Sequence, residues 1–313
     1  MRKLTTIILA MAAFVFLDAC NKAEVQFDDS VFTLDYTASL VSPATRAIGD
    51  GSTVDKLAYA IYEEESNDVY GSGIVDKTDG KFTFKPSLYI GKEYDIILFA
   101  YKDDSDDSYD IDNLQAVTRS EGLIGENADA FSLKETVKID KDENLYVNGA
   151  SKGSFRNPRT VELTRPFAQL NIGTSSVDDL AAVGAAKVKV TISDYKTSYN
   201  VRTSLMNGET TYYEYTTAIA DVKENTFDIE ETAYNYVSLN YLFPVGNVEA
   251  TVTVLTAGDE PIRTISFDNL PLNANRKTNI YGNLVKGELT FNVSVETGFT
   301  TPDVNRDPDS DNN

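Results

Sequence analysis

The sequence has no histidine, no tryptophan and a single cysteine in 313 residues. Without histidine there is no Ser-His-Asp triad, no Cys-His pair and no His-ligated metal. One cysteine excludes an intrachain disulfide and a cysteine-based zinc site. Positive charge is scarce: 28 Lys and Arg face 49 Asp and Glu, a net charge of −21. Such a surface repels phosphates, so no nucleic acid partner is expected. Long hydrophobic runs are scarce too. Beyond the N-terminus no stretch approaches the ~18 consecutive apolar residues of a membrane-spanning helix. Acids are so common that clusters such as Glu63-Glu64-Glu65 or Glu230-Glu231 carry no information. A glycosidase needs two carboxylates about 5–9.5 Å apart across a cleft, and any pair here could be invoked. No enzymatic activity and no cofactor are expected.

What is present begins with an address. Arg2 and Lys3 precede Thr5–Leu17, which is almost wholly apolar. About 13 residues span only ~20 Å as a helix, short of the ~30 Å hydrocarbon core. Residues 1–19 therefore read as a signal peptide. The run ends in Leu17-Asp18-Ala19-Cys20, and Cys20 is the only cysteine. This string resembles a bacterial lipobox, in which the thiol is lipidated. Leu17 and Ala19 fit; Asp18 departs from the small residue usual there. A lipid on Cys20 would hold the protein at the outer membrane, each buried CH₂ contributing about 0.8 kcal/mol.

The body reads as strands, because apolar residues recur with period two. Phe32, Leu34, Tyr36, Ala38 and Leu40 share one face of a strand over 32–40. Leu57, Tyr59 and Ile61 alternate likewise, as do Val188, Val190 and Ile192, then Val248, Ala250, Val252 and Val254. Leu289, Phe291, Val293 and Val295 form the last such strand. Residues 94–101, YDIILFAY, are apolar on both faces apart from Asp95, as a central strand should be. Asp79-Gly80, Asn148-Gly149, Asn207-Gly208 and Ala257-Gly258-Asp259 are turn signals. Ser176 with Asp179 three residues on starts one short helix, and Gly184 ends it. Many short strands with so little helix mean an all-β chain built of antiparallel sandwiches.

The polar stretch 148–158 suits a linker, which places one domain over residues 20–157 and another over 158–299. The alternation of Val161 and Leu163 is out of phase with that of Ala168, Leu170 and Ile172. The break falls at Arg165-Pro166, where a bulge or edge kink is expected because proline cannot donate to a ladder. Residues 300–313 are acidic, without apolar periodicity, and read as a disordered tail.

Three strings carry a family resemblance: Glu162–Ile172 (ELTRPFAQLNI), Tyr236–Leu242 (YVSLNYL) and Arg276–Leu284 (RKTNIYGNL). With the lipobox they resemble the fimbrillin-type, type V pilin-like surface lipoproteins of Bacteroidales, and within them a domain family of unknown function. The resemblance covers most of residues 21–300 and is strongest over 159–299. It implies two transthyretin-like antiparallel β-sandwiches, the short helix lying in the second, and a structural or accessory role in a fimbria-like assembly that mediates cell adhesion. It further implies an Arg-specific cut that removes the first strand, after which a strand of another pilin-like subunit fills the groove. The cut falls after Arg46, before Ala47, in the small and Gly-rich loop 42–51. The displaced strand carries Phe32, Leu34, Tyr36, Ala38 and Leu40, and the candidate donor carries Leu289, Phe291, Val293 and Val295.

Other features point elsewhere. Asp29-Ser30-Val31 resembles the O-glycosylation signal of that bacterial group, at Ser30. Asp104, Asp106 and Ser108 have EF-hand-like spacing, but Tyr109 and Gln115 replace the required Gly and Glu, so no metal is expected. Tyr195, Tyr199, Tyr212, Tyr213 and Tyr215 are candidate rings for stacking on sugars, although tyrosine is also a common cross-strand partner. They support an alternative: a monomeric outer-membrane lipoprotein that binds glycans or a host protein.

Overall fold

The structure is a computed structural model that describes residues 30–41, 51–104, 107–286, 292–296 and 304–305. The chain forms an all-β sandwich architecture around two hydrophobic cores. The strands near the first core are β1 (Val31–Thr33), β2 (Tyr36–Leu40), β3 (Lys56–Glu63), β4 (Val69–Asp76), β5 (Lys81–Phe84), β6 (Ser87–Tyr89) and β7 (Glu93–Tyr101). β8 (Tyr109–Asp110) and β9 (Thr118–Arg119) follow and lie against the second core; the first continues with β10 (Phe131–Ile139), β11 (Asn144–Val147), β12 (Ala150–Ser154) and β13 (Arg159–Leu163). A six-stranded sheet, β12-β11-β10-β7-β3-β4, and a three-stranded sheet, β13-β2-β5, close over Leu34, Tyr36, Phe82, Ile96, Leu98 and Val161.

The second core lies between two further sheets. Their strands are β14 (Ala168–Thr174), β15 (Ala185–Asn200), β16 (Leu205–Ala218), β17 (Asn225–Ile229) and β18 (Thr232–Leu242). There follow β19 (Gly246–Thr256), β20 (Pro261–Leu272), β21 (Arg276–Gly282), β22 (Asn292–Glu296) and β23 (Val304–Asn305). The sheets run β22-β21-β14-β18-β17-β23 and β16-β15-β19-β20. Val188, Val190 and Ile192 point inward from β15, and Val248, Ala250, Val252 and Val254 from β19, as their alternation requires. Most pairings are antiparallel; β13 with β2 and β14 with β21 run parallel.

The strings Arg276–Leu284 and Tyr236–Leu242 and the later part of Glu162–Ile172 are sheet neighbours: β14 lies between β21 and β18. Gln169 and Asn171 on β14 and Asn279 on β21 form a buried amide ladder. Gln169 Nε2 donates to Asn171 Oδ1 (2.8 Å) and Asn171 Nδ2 to Asn279 Oδ1 (2.7 Å). The ladder gives each amide at least one partner, while Gln169 Oε1 is buried with none among the described residues.

β7 is a central strand, paired with β10 and β3, and its two faces serve both cores. Ile96 and Leu98 face the first, Ile97 and Phe99 the second. Its buried charge, Asp95, is held by Lys134 (3.0 Å) and Arg202 (2.7 Å), the latter from the turn between β15 and β16. The short helix α1 (Val177–Ala182) starts at Ser176, whose hydroxyl accepts from Asp179 N (3.2 Å), and gives way to Gly184 at φ +71°. A second helical turn, α2 (Ile219–Val222), and a 3₁₀ turn at Gly125–Ala128 add to the one helix expected.

Several expectations are revised. The run 32–40 is two strands, not one, broken at Leu34-Asp35. The break lies opposite Lys85-Pro86, where proline has no N–H to give the ladder; Leu34 N donates instead to Pro86 O (2.9 Å). Residues 150–154 of the expected linker form β12, joined to β11 by Asn148-Gly149, both at positive φ as a tight hairpin needs. β13 packs on the first core through Val161 and Leu163, so the chain changes core at Thr164-Arg165-Pro166 rather than at 157/158. The phase break read as a bulge is that crossing. Asn207-Gly208 is a bulge inside β16, not a turn. Val304–Asn305, in the segment read as a tail, pairs with β17.

Candidate functional site

β2 is an interior strand. It runs parallel to β13, from Tyr36↔Arg159 to Leu40↔Leu163, and antiparallel to β5, from Tyr36↔Phe84 to Ser39↔Lys81. Leu34, Tyr36 and Ala38 are fully buried in the first core, while Phe32 and Leu40 are half-buried against it. All five thus share a core, as their spacing predicts. Ser30 lies just ahead, its carbonyl accepting from Ile90 N (3.2 Å).

A polar group lies under this strand. Tyr36 Oη donates to Glu135 Oε2 (2.7 Å), and Arg159 Nε donates to the same oxygen (3.1 Å). Burial first, then the Glu135 charge, pushes the Tyr36 hydroxyl well above its ordinary value, so it stays a donor. The Arg159 guanidinium is held charged chiefly by its hydrogen bond to Glu135. Arg159 N also donates to Asp35 O (2.7 Å) and Val41 N to Leu163 O (3.0 Å), fastening both ends of β2 to β13. The segment 1–19, Cys20, Arg46 and Ala47 lie outside the described residues.

Of the candidate donor, Leu289 and Phe291 lie outside the described residues. Val293 and Val295 are on β22, opposite Ile280 and Thr278 of β21. β22 ends its sheet, and the two valines are each 41% exposed. β2 and β22 belong to different sheets over different cores, so they do not meet within one chain.

The five candidate tyrosines separate. Tyr195, Tyr199 and Tyr215 are buried, contrary to the expectation of exposed rings; Tyr213 is half-buried and Tyr212 is 70% exposed. Register shifts in the β15–β16 ribbon, between Ile192 and Tyr195 and between Lys196 and Ser198, reset which side chains face in. Tyr195, Tyr212 and Tyr213 nonetheless line one cavity of about 640 Å³ with Phe243 and Arg119. Arg119 carries no sequence signal for this position, since nothing local announces that β9 inserts against β15. Among the described residues, no three acidic, His or Cys side chains gather as a metal site requires.

Comparison with solved structures finds the same fold. A candidate cell adhesion protein of Bacteroides uniformis superposes with a TM-score of 0.50 at 14% identity, covering 84% of this chain and 98% of that one. Another, of Bacteroides ovatus, gives 0.50 at 14% identity over 87% and 99%. A fimbrial assembly protein of Parabacteroides distasonis gives 0.45 at 14% identity over 85% and 100%. No curated protein matches the sequence. The profile of a family of unknown function, DUF6562, matches residues 22–311.

Proposed function

We propose that this chain, which belongs to the family of unknown function DUF6562, is a structural or accessory subunit of a fimbria-like adhesive assembly on the cell surface. In this reading Cys20 carries a lipid and the protein reaches the outer membrane as a lipoprotein. Cleavage between Arg46 and Ala47 then frees the segment holding β1 and β2, with Ser30 and any sugar on it.

The observation that carries the reading is the position of β2. An interior strand with a partner on each side lies wholly N-terminal to Arg46, so one cut detaches it. Its departure leaves open ladders on β13 and β5 and a slot once filled by Leu34, Tyr36 and Ala38. A strand with matching alternation restores both by β-augmentation. Leu289, Phe291, Val293 and Val295 of another subunit have that alternation. Two of the fold's neighbours are candidate cell adhesion proteins, which agrees with this class of role.

The test is intact-mass analysis of protein taken from its native membrane, with assembly followed on denaturing gels without heating. Chains beginning at Ala47 that form heat-labile ladders are the expected result. Surface protein that always retains residues 21–46 and stays monomeric sinks the proposal.

A further inference from the structure

The strand at the end of a sheet has outer backbone groups without a ladder partner, and such an edge pairs with another chain unless something blocks it. Several edges here are blocked. β12 is short and carries Lys152, β5 is short and starts at Lys81, and β20 contains Pro261 and Pro271. β4 differs. It ends the six-stranded sheet with eight residues, VYGSGIVD, among them no proline, lysine or arginine. Its one register shift lies near the Val69 end.

Lys77 N donates to Asp55 O (2.8 Å), which sets the phase of the β3–β4 ladder. Bonded and non-bonded pairs alternate, so Leu57↔Val75, Tyr59↔Gly73 and Ile61↔Gly71 are the bonded ones. Ser72 and Ile74 therefore turn their N–H and C=O away from β3, and both residues are exposed. Ile74 lies opposite Ala58 and Val69 opposite Tyr62, on the side of β3 that faces the second core. Both apolar side chains are nonetheless 53% exposed. With the buried Ala58 and Ala60 and the loop 111–115 they line a groove of about 580 Å³.

The margin of this groove is acidic. Asp68 precedes β4, Asp76 ends it and Asp112 stands in the groove wall, all three exposed. The nearby cations are already engaged: Lys56 by Asp76 (2.6 Å) and Asp103 (3.9 Å), Lys102 by Asp104 (3.7 Å), and Lys134 and Arg202 by Asp95.

We propose that β4 takes up an extended basic peptide segment of a partner protein as a seventh strand of this sheet. The backbone of that segment pairs with Ser72 and Ile74. Its apolar side chains enter the groove against Val69 and Ile74, and its Lys or Arg side chains meet Asp68, Asp76 and Asp112. Main-chain bonds supply affinity and alternate side chains supply specificity. A second copy pairing through its own β4 would bring the same acids to the contact. This inference does not depend on strand exchange at β2.

The test is fluorescence anisotropy of the purified full chain with three labelled heptapeptides: KVKIKVK, its acidic counterpart EVEIEVE, and KKVIVKK, which has the composition of the first without its alternation. KVKIKVK should bind at least about tenfold tighter than EVEIEVE, and its advantage should shrink as salt screens the exposed acids. KKVIVKK should bind several-fold more weakly than KVKIKVK, because charge alone does not fill the groove. Ile74→Lys places a like charge in the groove at an exposed position and should weaken KVKIKVK about tenfold without shifting Tm. Ser72→Pro removes one outward N–H without touching the β3 ladder and should weaken it about fivefold, the equivalent of one hydrogen bond. If Ser72→Pro fails to fold, Ile74→Lys carries the test. Equal binding of KVKIKVK and either of the other peptides, no binding of any, or undiminished binding by Ile74→Lys overturns the proposal. Dimerisation of the peptide-free chain in sedimentation velocity that Ile74→Lys abolishes also overturns it, since the edge then belongs to a second copy.

Discussion

Suppose residues up to Arg46 are cut away and the freed segment is stripped out in denaturant before refolding. The first core then loses Leu34, Tyr36 and Ala38 outright and the half-buried Phe32 and Leu40. At about 2–3 kcal/mol for each fully buried large side chain and about 1 for each of the others, the loss is roughly 7–9 kcal/mol. That is an upper value, since an unfolded chain already buries some of this surface. Glu135 also loses the Tyr36 hydroxyl, a hydrogen bond to a charged group worth about 1.5–3 kcal/mol. Whole domains are stable by only about 5–15 kcal/mol, so the emptied first sandwich should sit near its unfolding threshold. Urea unfolding followed by far-ultraviolet circular dichroism reads this directly. The emptied chain should unfold at much lower urea, and a synthetic peptide of residues 30–41 should raise the midpoint in proportion to its concentration over Kd. At 100 times its Kd the peptide contributes about 2.7 kcal/mol. The same peptide with Leu34→Asp and Tyr36→Ser should not rescue. An emptied chain with the midpoint of the intact protein would refute the reasoning.

Four further outcomes follow from single sites. Arg165 and Asp129 are 1% exposed and paired by two 2.8 Å bonds, so Arg165→Met should cost about 3–5 kcal/mol in urea unfolding, and adding Asp129→Leu should recover most of it. Burial raises the Asp95 carboxyl, but hydrogen bonds from Arg202, Thr136 and Lys134 outweigh it and hold the group below the usual aspartate value. A lowered folded value means that this stability is fully present above about pH 3.9 and is lost as pH falls through the folded value; Asp95→Asn should flatten that part of a stability–pH series. A methyl on Gly173 would meet the Phe227 ring at 2.4 Å, so Gly173→Ala should lower stability by about 1–3 kcal/mol in thermal melts. Val293→Lys with Val295→Lys, at exposed positions, should leave Tm within a few degrees yet abolish ladders of trimmed subunits on unheated gels.

Much of the fold was legible because local chemistry and tertiary demand agree. The alternation in β15 and β19, the capped α1 and the Asn148-Gly149 hairpin each need only neighbouring residues to be recognised. The two-sided apolar β7 announced a strand covered on both faces, and its lone Asp95 is where the turn between β15 and β16 docks through Arg202. What stayed hidden depends on distant partners. Nothing in residues 36–40 specifies that their parallel neighbour is 159–163. The phase break at Arg165-Pro166 was visible, but a bulge and a change of core give the same local pattern. Asn207-Gly208 shows the same ambiguity: positive φ at Gly208 serves a bulge as well as a turn. The tyrosines of β15 and β16 were misjudged because bulges reset the inward phase.

The slot filled by β2 and the aromatic cavity use different parts of the molecule. Exchange at β2 rebuilds the three-stranded sheet on the first core. The cavity is walled by β9, β15, β16 and Phe243, around the second core. Between them lie β3 and β7, whose backbones are fixed by pairing with each other and with β4 and β10 rather than with β2. A replacement strand with the same alternation returns the same side chains to the first core and leaves the second face of β7 where it was. Effects of mutations at the two sites should therefore add within about 0.5 kcal/mol, as for well-separated positions. A larger interaction energy would mean that the slot and the cavity are coupled through β7.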